Sequence, residues 1–142
     1  MPQSAIFAPV FTVMLLTLAV WVLLYVRRIR WMVAERIRPQ SVATPDRLAS
    51  IVPDAVNTPS HNLRNLVELP LLFYVLCLYL YVTAAVDTAY VAAAWVFAAF
   101  RIAHSAVHCT SNRVMLRFRL YMIASLALWF MLLRAVAQWL AI

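Results

Sequence analysis

The sequence predicts an all-α membrane protein built as a bundle of four transmembrane helices. Hydrophobic residues make up 66% of the 142-residue chain, and its mean hydropathy is +0.87. A soluble domain has an apolar share nearer one half. Four long apolar runs account for the excess, and none alternates with the two-residue period of a strand. Because a segment within lipid must satisfy its own backbone hydrogen bonds, each run is predicted to be a helix.

The four predicted spans belong to one membrane domain over residues 1–142. The first, residues 6–26, carries no charge and is long enough to cross roughly 30 Å of hydrocarbon. Basic residues follow this span rather than precede it, so we do not expect a cleaved signal peptide. The other three predicted spans are residues 69–86, 89–107 and 120–140.

A proline-containing segment, residues 39–62, separates the first two spans. Its prolines are spaced so that they break long helices and favour extended or turn conformations: Pro39, Pro45, Pro53 and Pro59. We therefore predict a loop here. The basic stretch before it, residues 27–38, can extend the first helix beyond the lipid.

The arginines predict how the helices are oriented. All twelve basic residues are Arg, and the two loops that hold most of them contain Arg27, Arg28, Arg30, Arg36, Arg38, Arg47, Arg113, Arg117 and Arg119. By the positive-inside rule both loops are cytoplasmic and both termini lie outside. The net charge of +7 then reflects anionic lipid head groups rather than nucleic acid. Abundant Ala and Arg without Lys suggests a GC-rich bacterial genome, and hence an inner membrane.

A first polar cluster precedes the second span. His61, Arg64, Asn65 and Glu68 fall within an arc of about 100° on a helix and so share a face. Arg64 and Glu68 are four residues apart and can bridge each other. A helix cap at the membrane surface is the alternative interpretation. The position of Glu68 at the lipid edge, two residues before Pro70, favours a ligand site.

A second cluster lies at the end of the third span. Arg101, His104, Ser105 and His108 also share one face, and the alternative is an interhelical polar network that fixes packing. His104 and His108 have a spacing that can hold zinc, but no H-E-x-x-H pattern surrounds them. Bis-histidine haem would need opposed ligands on separate helices. We therefore predict no metal site.

A third cluster leads into the fourth span. Arg113, Arg117 and Tyr121 are spaced by four and form one stripe, for which lipid anchoring is the alternative explanation. Arg117 precedes Tyr121 by one turn, so a guanidinium and a phenol meet where the chain enters lipid. Such a pair can stabilise a thiolate or a developing oxyanion. Ionised groups at a lipid edge are costly, and here they point to an anionic ligand.

Two of these segments resemble a known family. The stretch from Arg64 to Phe73 resembles the helix-two signature of the MAPEG family, the membrane-associated proteins in eicosanoid and glutathione metabolism. The stretch from Arg101 through His104 to Arg117 and Tyr121 resembles the third and fourth helices of that family. The resemblance covers the whole chain in size, spans and topology. It implies a homotrimer of four-helix protomers, with glutathione as co-substrate held between neighbouring subunits near the cytoplasmic face.

The resemblance also implies roles for individual residues. Arg117 matches the arginine assigned to thiolate activation, and Tyr121 matches a nearby contact; these two form the predicted catalytic pair. The predicted glutathione-binding set joins matched positions to their neighbours in the clusters, with Arg28 or Arg30 as a basic residue at the end of the first helix. This set is Arg28, Arg30, His61, Arg64, Asn65, Glu68, Arg101, His104, His108 and Arg113.

Two departures from the family pattern narrow the expected activity. His108 stands where some eicosanoid-synthesising members have tyrosine, and Phe118 stands where some have serine. Both favour a plain glutathione transferase over a prostaglandin-synthase-like reaction.

Residues and resemblance together predict a membrane glutathione S-transferase, with peroxidase activity as a further option. Arginine forks bind the two carboxylates of glutathione, and Glu68 takes its ammonium. Lipophilic electrophiles would arrive from the bilayer, whose lipids surround the protein. One alternative is a non-catalytic lipid- or ligand-binding member of the same fold. Another is a small proton-coupled transporter that titrates Glu68 and the histidines.

Overall fold

The computed structural model describes residues 1–141 and confirms an all-α bundle of four long helices. Each of the four is long and apolar enough to cross a membrane. A short helix, α2, and two 3-10 turns complete the described chain, in which there is no strand. The elements in order are the turn Gln3–Ile6, α1 (Phe7–Ala34), the turn Pro39–Val42, α2 (Pro45–Ile51), α3 (Asp54–Val82), α4 (Thr88–Cys109) and α5 (Val114–Leu140).

The irregular segment before α3 is shorter than the loop predicted over residues 39–62. Helix α3 begins at Asp54, whose carboxylate favours a helix N-terminus. Pro59 lies inside this helix, and its missing N–H deprives the carbonyl of Ala55 of the usual donor. The Arg27 guanidinium of α1 donates to that carbonyl at 3.2 Å. A neighbouring helix therefore supplies the hydrogen bond that proline removes.

Helices in this glycine-free chain end on residues other than glycine. Arg36 after α1 and Ala84 after α3 both adopt a left-handed φ of 53°. Ala84 is followed by an N–H of Ala85 that donates to the carbonyl of Leu80 at 2.9 Å, which closes the helix end. Because this turn ends the helix at Val82, α3 is shorter at this end than the span predicted to run to residue 86.

The interior of the bundle is apolar over one half of its length. Phe73 of α3 and Phe97 of α4 stack with ring centroids 4.3 Å apart. Ala94 and Ala98 are fully buried on α4. Small side chains let helices approach closely in the absence of glycine, as the alanine-rich sequence of α4 predicts.

The interior of the other half contains most of the buried polar side chains, beside a small apolar cluster. We give the name polar core to five of these polar side chains: Asn62, Arg101, His104, Ser105 and His108. It lies towards the basic end, by which we mean the end where α1 and α4 finish and α3 and α5 start. All arginines except Arg134 lie in this half. The buried polar residues and the surface arginines therefore lie in the same half of the bundle.

An ion pair at the opposite end explains the one arginine that departs from the positive-inside pattern. Nη1 and Nη2 of Arg134 on α5 donate to the two carboxylate oxygens of Asp87 at 2.8 and 2.6 Å. Among residues 1–141 this is the single ion pair. Asp87 also caps α4 by accepting from the N–H of Tyr90 at 3.1 Å. The hydrogen bonds from Arg134 lower the pKa of Asp87 from 3.8 to about 2.

Three further contacts close the same end. The Arg134 guanidinium lies 4.3 Å from the centre of the Tyr90 ring, whose hydroxyl donates to Gln138 at 2.6 Å. Gln3 donates to the carbonyl of Val86 and accepts from its N–H. The amino-terminal turn, the α3–α4 connection and the end of α5 are thereby joined.

Substitution of Asp87 should separate the ion pair from the helix cap. Asp87→Asn keeps an acceptor for the cap but loses the charge, and we expect a loss of about 1 kcal/mol or less in the free energy of unfolding. Asp87→Ala loses both and should cost about 2 kcal/mol. Thermal unfolding in detergent micelles measures the difference. Asp46→Asn, which removes a carboxylate that makes no ion pair, is the control.

The same variants should show the pH dependence of the ion pair. Because the folded-state pKa of Asp87 lies below its ordinary value, its stabilising contribution is complete above 3.8 and is lost as the pH falls towards about 2. The stability difference between wild type and Asp87→Asn should therefore shrink over that interval. A difference that stays constant would contradict the assignment.

Candidate functional site

Helix α4 turns its polar stripe into the bundle. Arg101, His104, Ser105 and His108 are spaced three or four residues apart and lie on one face of the helix, as their periodicity indicates. Each is between 1% and 3% exposed. The sequence allowed two interpretations of this stripe, a ligand site or a polar network between helices. Within the protomer, the contacts of the stripe are those of a polar network between helices.

Arg101 connects α4 to both α3 and α5. Its Nη2 donates to the main-chain carbonyl of Asn65 at 2.5 Å, and its guanidinium carbon lies 5.5 Å from the centre of the Tyr121 ring. Its Nε and Nη1 are buried and have no hydrogen-bond partner. Buried donors are normally hydrogen-bonded, so these two nitrogens favour the binding of an additional acceptor.

His104 contacts the main chain of the proposed catalytic arginine. Its Nδ1 donates to the carbonyl oxygen of Arg117 at 2.9 Å. Since a carbonyl only accepts, Nδ1 must carry a proton. The imidazole packs edge-on against His108 and lies 5.7 Å from the Tyr121 ring between centroids. Its Nε2 is buried without a partner.

The guanidinium of Arg117 forms a hydrogen bond with a residue of the turn between α4 and α5. Its Nη1 donates to Oδ1 of Asn112 at 2.6 Å, while the residue as a whole is half-buried. Asn112 has a φ of 48°, a left-handed conformation that asparagine tolerates better than most residues. Asn112 was not among the predicted site residues. The available signal was an asparagine shortly after a helix end in a chain without glycine.

The first polar cluster lies on the outer face of α3. Arg64 and Glu68 are exposed, and they do not form an ion pair despite their spacing of four. They line an open recess of about 420 Å³ together with Ser60, Leu63 and Val67. All five lining residues belong to α3, so the recess has a wall on one side only.

The remaining predicted contacts lie at the basic end. Arg28 donates to Oδ1 of Asn57 at 3.2 Å, and the Nδ2 of Asn57 lies 3.4 Å from Nε2 of the exposed His61. Arg30 and Arg113 are exposed. The structure therefore gathers the α4 residues in the interior, with Arg117 and Tyr121 of α5 half-buried beside them. The α1 and α3 residues and Arg113 lie at the surface.

Two residues that hold this end together were not predicted. Arg27 donates to the carbonyls of Cys109 and Ala55 at 2.9 and 3.2 Å, and so joins α1, α3 and α4. Asn62 is fully buried and lies between Ser105 and the thiol of Cys109. In the sequence Arg27 directly precedes Arg28, and Asn62 directly follows His61. Arg28 and His61 are both in the predicted glutathione-binding set.

An apolar cavity of about 390 Å³ lies between α3 and α5, towards the opposite end. Leu76, Trp129 and Trp139 are among its lining side chains. The size falls in the range of small-molecule sites, about 300–1,000 Å³, and the lining suits a lipophilic molecule. Among residues 1–141, no group of three His, Cys, Asp or Glu side chains is arranged to hold a metal ion.

The family model described as the MAPEG family matches residues 6–137, a range that includes nearly all of the four long helices. Searches of curated proteins and of solved structures find no match.

Two neighbouring arginines of α1 should differ in their effect on stability. Arg27→Ala removes hydrogen bonds from a cation to two main-chain carbonyls, and we expect it to lower the free energy of unfolding by about 1–3 kcal/mol. Arg30→Ala makes the same change of charge at an exposed position and should stay within about 0.5 kcal/mol of wild type. Unfolding in detergent measures both. Equal effects would mean that the Arg27 hydrogen bonds do not stabilise the bundle.

Proposed function

The chain belongs to the MAPEG family, and we propose that it is a membrane glutathione S-transferase that joins glutathione to lipophilic electrophiles. Family membership supports a membrane protein of glutathione or eicosanoid metabolism. One observation carries the proposal of transferase activity. Arg117 is half-buried, lies one helical turn before Tyr121, and donates from its guanidinium to the side chain of Asn112. We propose Arg117 and Tyr121 as the catalytic pair.

The proposed chemistry is nucleophilic substitution by the glutathione thiolate. A guanidinium beside the thiol favours the thiolate, and each unit of pKa lowering corresponds to about 1.4 kcal/mol. The thiol proton leaves to solvent, the sulfur–carbon bond forms, and the bond to the leaving group breaks. The Tyr121 hydroxyl can donate to the charge that develops on the electrophile. Reduction of a lipophilic peroxide by the same thiolate is the peroxidase variant of this proposal.

The proposed recognition of glutathione uses the accessible charges. Arg64 and Glu68 are exposed and form no ion pair, so they are available to a carboxylate and an ammonium group respectively. The other surface members of the proposed binding set are Arg28, Arg30, His61, Asn65 and Arg113. The buried Arg101, His104 and His108 complete the proposed set. They lie in the interior of the bundle, behind its surface members.

We propose that a neighbouring subunit of a homotrimer completes this site. The recess beside Arg64 has its wall on α3 alone, and apolar side chains continue along the same helix. Val67, Leu71 and Val75 are between 59% and 61% exposed. A second copy packed on this helix would cover them and give the recess its missing side. Membrane lipids would cover the remaining apolar surface.

The protein is an integral multi-pass membrane protein. We propose that it resides in a bacterial inner membrane with the basic end towards the cytoplasm. The concentration of arginines at that end supports this orientation.

A non-catalytic ligand-binding role is the second proposal, and the apolar cavity between α3 and α5 favours it. Such a protein would keep the fold and bind a lipophilic molecule without thiol chemistry. Lipid binding that is unchanged in Arg117→Ala and independent of glutathione would support this role.

Ultraviolet absorbance of the thiolate tests the leading proposal. Glutathione added to the purified protein should give a thiolate signal, and Arg117→Ala should lose about tenfold or more of the thiolate fraction if the guanidinium lowers the pKa of the thiol by about one unit. Arg119→Ala removes an exposed arginine two residues further on and should keep the signal.

Three outcomes discriminate between the proposals. The absence of glutathione binding by the wild type would end the transferase proposal. Binding without conversion of any of several electrophiles would favour the ligand-binding role. Equal losses in Arg117→Ala and Arg119→Ala would remove the specific role of Arg117.

Affinity measurements test the proposed recognition of glutathione. Arg64→Ala and Glu68→Gln should each weaken binding by about tenfold to a hundredfold, because each removes a charge-assisted hydrogen bond of about 1.5–3 kcal/mol. Calorimetric titration with glutathione measures the change. Arg47→Ala, an exposed arginine on α2, should bind as the wild type does. Wild-type affinity in both site variants would place the ligand elsewhere.

A further inference from the structure

We propose that Arg119 binds the phosphate group of an anionic phospholipid at the basic end of the bundle. The proposal does not depend on the proposed function. It requires only that the four long helices cross a membrane, and it adds a lipid site on the outer surface of α5.

The side chain of Arg119 lies within an apolar part of the surface of α5. One turn before it are Met115 and Leu116, which are 63% and 41% exposed. One turn after it are Met122 and Ile123, which are 39% and 40% exposed. Residues three and four apart on a helix are neighbours, so apolar side chains flank this exposed arginine on both sides along the helix.

Arg119 points away from the bundle and from the proposed catalytic pair. At about 100° per residue, it lies about 160° around the helix from Arg117 and from Tyr121, both of which are half-buried. The buried residues of α5 lie about 120–180° from it: Ala124, Ser125, Leu128, Met131 and Ala135. A group bound by Arg119 is therefore outside the protomer, on the side where α5 faces lipid.

The other arginine in the apolar part of α5 shows how this chain neutralises a cation. Nη1 and Nη2 of Arg134 donate to the two carboxylate oxygens of Asp87 at 2.8 and 2.6 Å. Because that is the single ion pair among residues 1–141, Arg119 has no carboxylate partner in this part of the chain. A charge at the edge of lipid needs a counter-charge, and for Arg119 it comes from outside the protomer.

A phospholipid phosphate is the anion that suits this position. Arg119 is the sixth residue of α5 and lies about 8 Å along the helix from the first. Its methylene groups can contact lipid chains while the guanidinium extends to the head groups, where two N–H groups can bind two phosphate oxygens. The surface arginines of the basic end make the potential there more positive, which favours an anionic lipid over a zwitterionic one.

A carboxylate from a second copy of the chain is the competing partner. Of the four acids in the basic half, Glu68 alone lies beside an apolar span, and the other three lie at or before the start of α3. Glu68 stands at the recess on α3, where we propose that it binds an ammonium group. The phospholipid is the partner that remains for Arg119.

Native mass spectrometry of the full chain in detergent tests the proposal by counting bound dioleoyl phosphatidylglycerol. Arg119→Leu should bind this lipid about tenfold more weakly than the wild type, because it loses charge-assisted hydrogen bonds to phosphate. Arg119→Lys keeps the charge without the planar fork and should be intermediate. Arg47→Leu, a matched change at an exposed position on α2, should bind as the wild type does.

Two further ligands identify what Arg119 recognises. Dioleoyl phosphatidylcholine carries the same phosphate without net charge, and the wild type should bind it more weakly than phosphatidylglycerol. Inorganic phosphate alone should give no binding in calorimetric titration. Equal binding of the two lipids would overturn the anionic preference. Phosphate binding that Arg119→Leu abolishes would assign the position to a soluble anion and overturn the lipid site.

The variants also decide against the remaining explanations. Wild-type lipid binding in Arg119→Leu would overturn the proposal. Equal losses in Arg119→Leu and Arg47→Leu would overturn it too, since the lipid would then respond only to net charge. A smaller oligomer in both Arg119→Leu and Glu68→Gln would instead assign Arg119 to a contact between copies.

Circular dichroism checks that the variants fold. Leucine and lysine are good helix formers, so both variants at position 119 should keep the helix content of the wild type. Arg119→Gln removes the charge and keeps a polar side chain. It is the second variant if Arg119→Leu does not fold, and the same loss of lipid binding is expected from it.

Discussion

The buried guanidinium of Arg101 sets a constraint on which the rest of the bundle depends. A cation in the interior of a membrane protein is stable only if acceptors surround it, and this one is 1% exposed. Arg101 meets the requirement in part, through the main chain of Asn65 and the ring of Tyr121, while its Nε and Nη1 have no partner within the protomer. Helices α3 and α5 must therefore keep their position relative to α4 at this level. The residues proposed for glutathione chemistry are carried by the two helices that this contact aligns.

Proline and arginine act together along α3. The helix contains Pro59 and Pro70, each of which removes a backbone donor. Arg27 donates to the carbonyl four residues before the first proline, and Arg101 donates to the carbonyl five residues before the second. Main-chain carbonyls near a helix irregularity thus accept guanidinium groups from α1 and α4. This arrangement joins the helices by hydrogen bonds beside the small apolar cluster of Val20, Leu66 and Cys109.

The two ends of the bundle are stabilised by different means. The opposite end is closed by the Asp87–Arg134 ion pair above an apolar interior. Four of the five acids lie in the basic half, yet none of them forms an ion pair with an arginine among residues 1–141, and main-chain carbonyls and amide side chains accept from the arginines instead. The unpaired positive charge that results is the property that suits this end to an anionic thiol peptide. Rigid helices rather than loops carry the groups involved, which favours a precisely held site.

Hydropathy alone determined that four helices cross a membrane, because the thickness of lipid sets the length of an apolar run. Helical periodicity alone placed Arg101, His104 and His108 on one face. Only tertiary packing decided what that face points towards. In the sequence, a polar face that lines a binding pocket has the same spacing as one that forms an internal network. Likewise the ion pair between Asp87 and Arg134 joins residues 47 positions apart. Local spacing describes one helix at a time, whereas burial and long-range partners depend on what the neighbouring helices place opposite it.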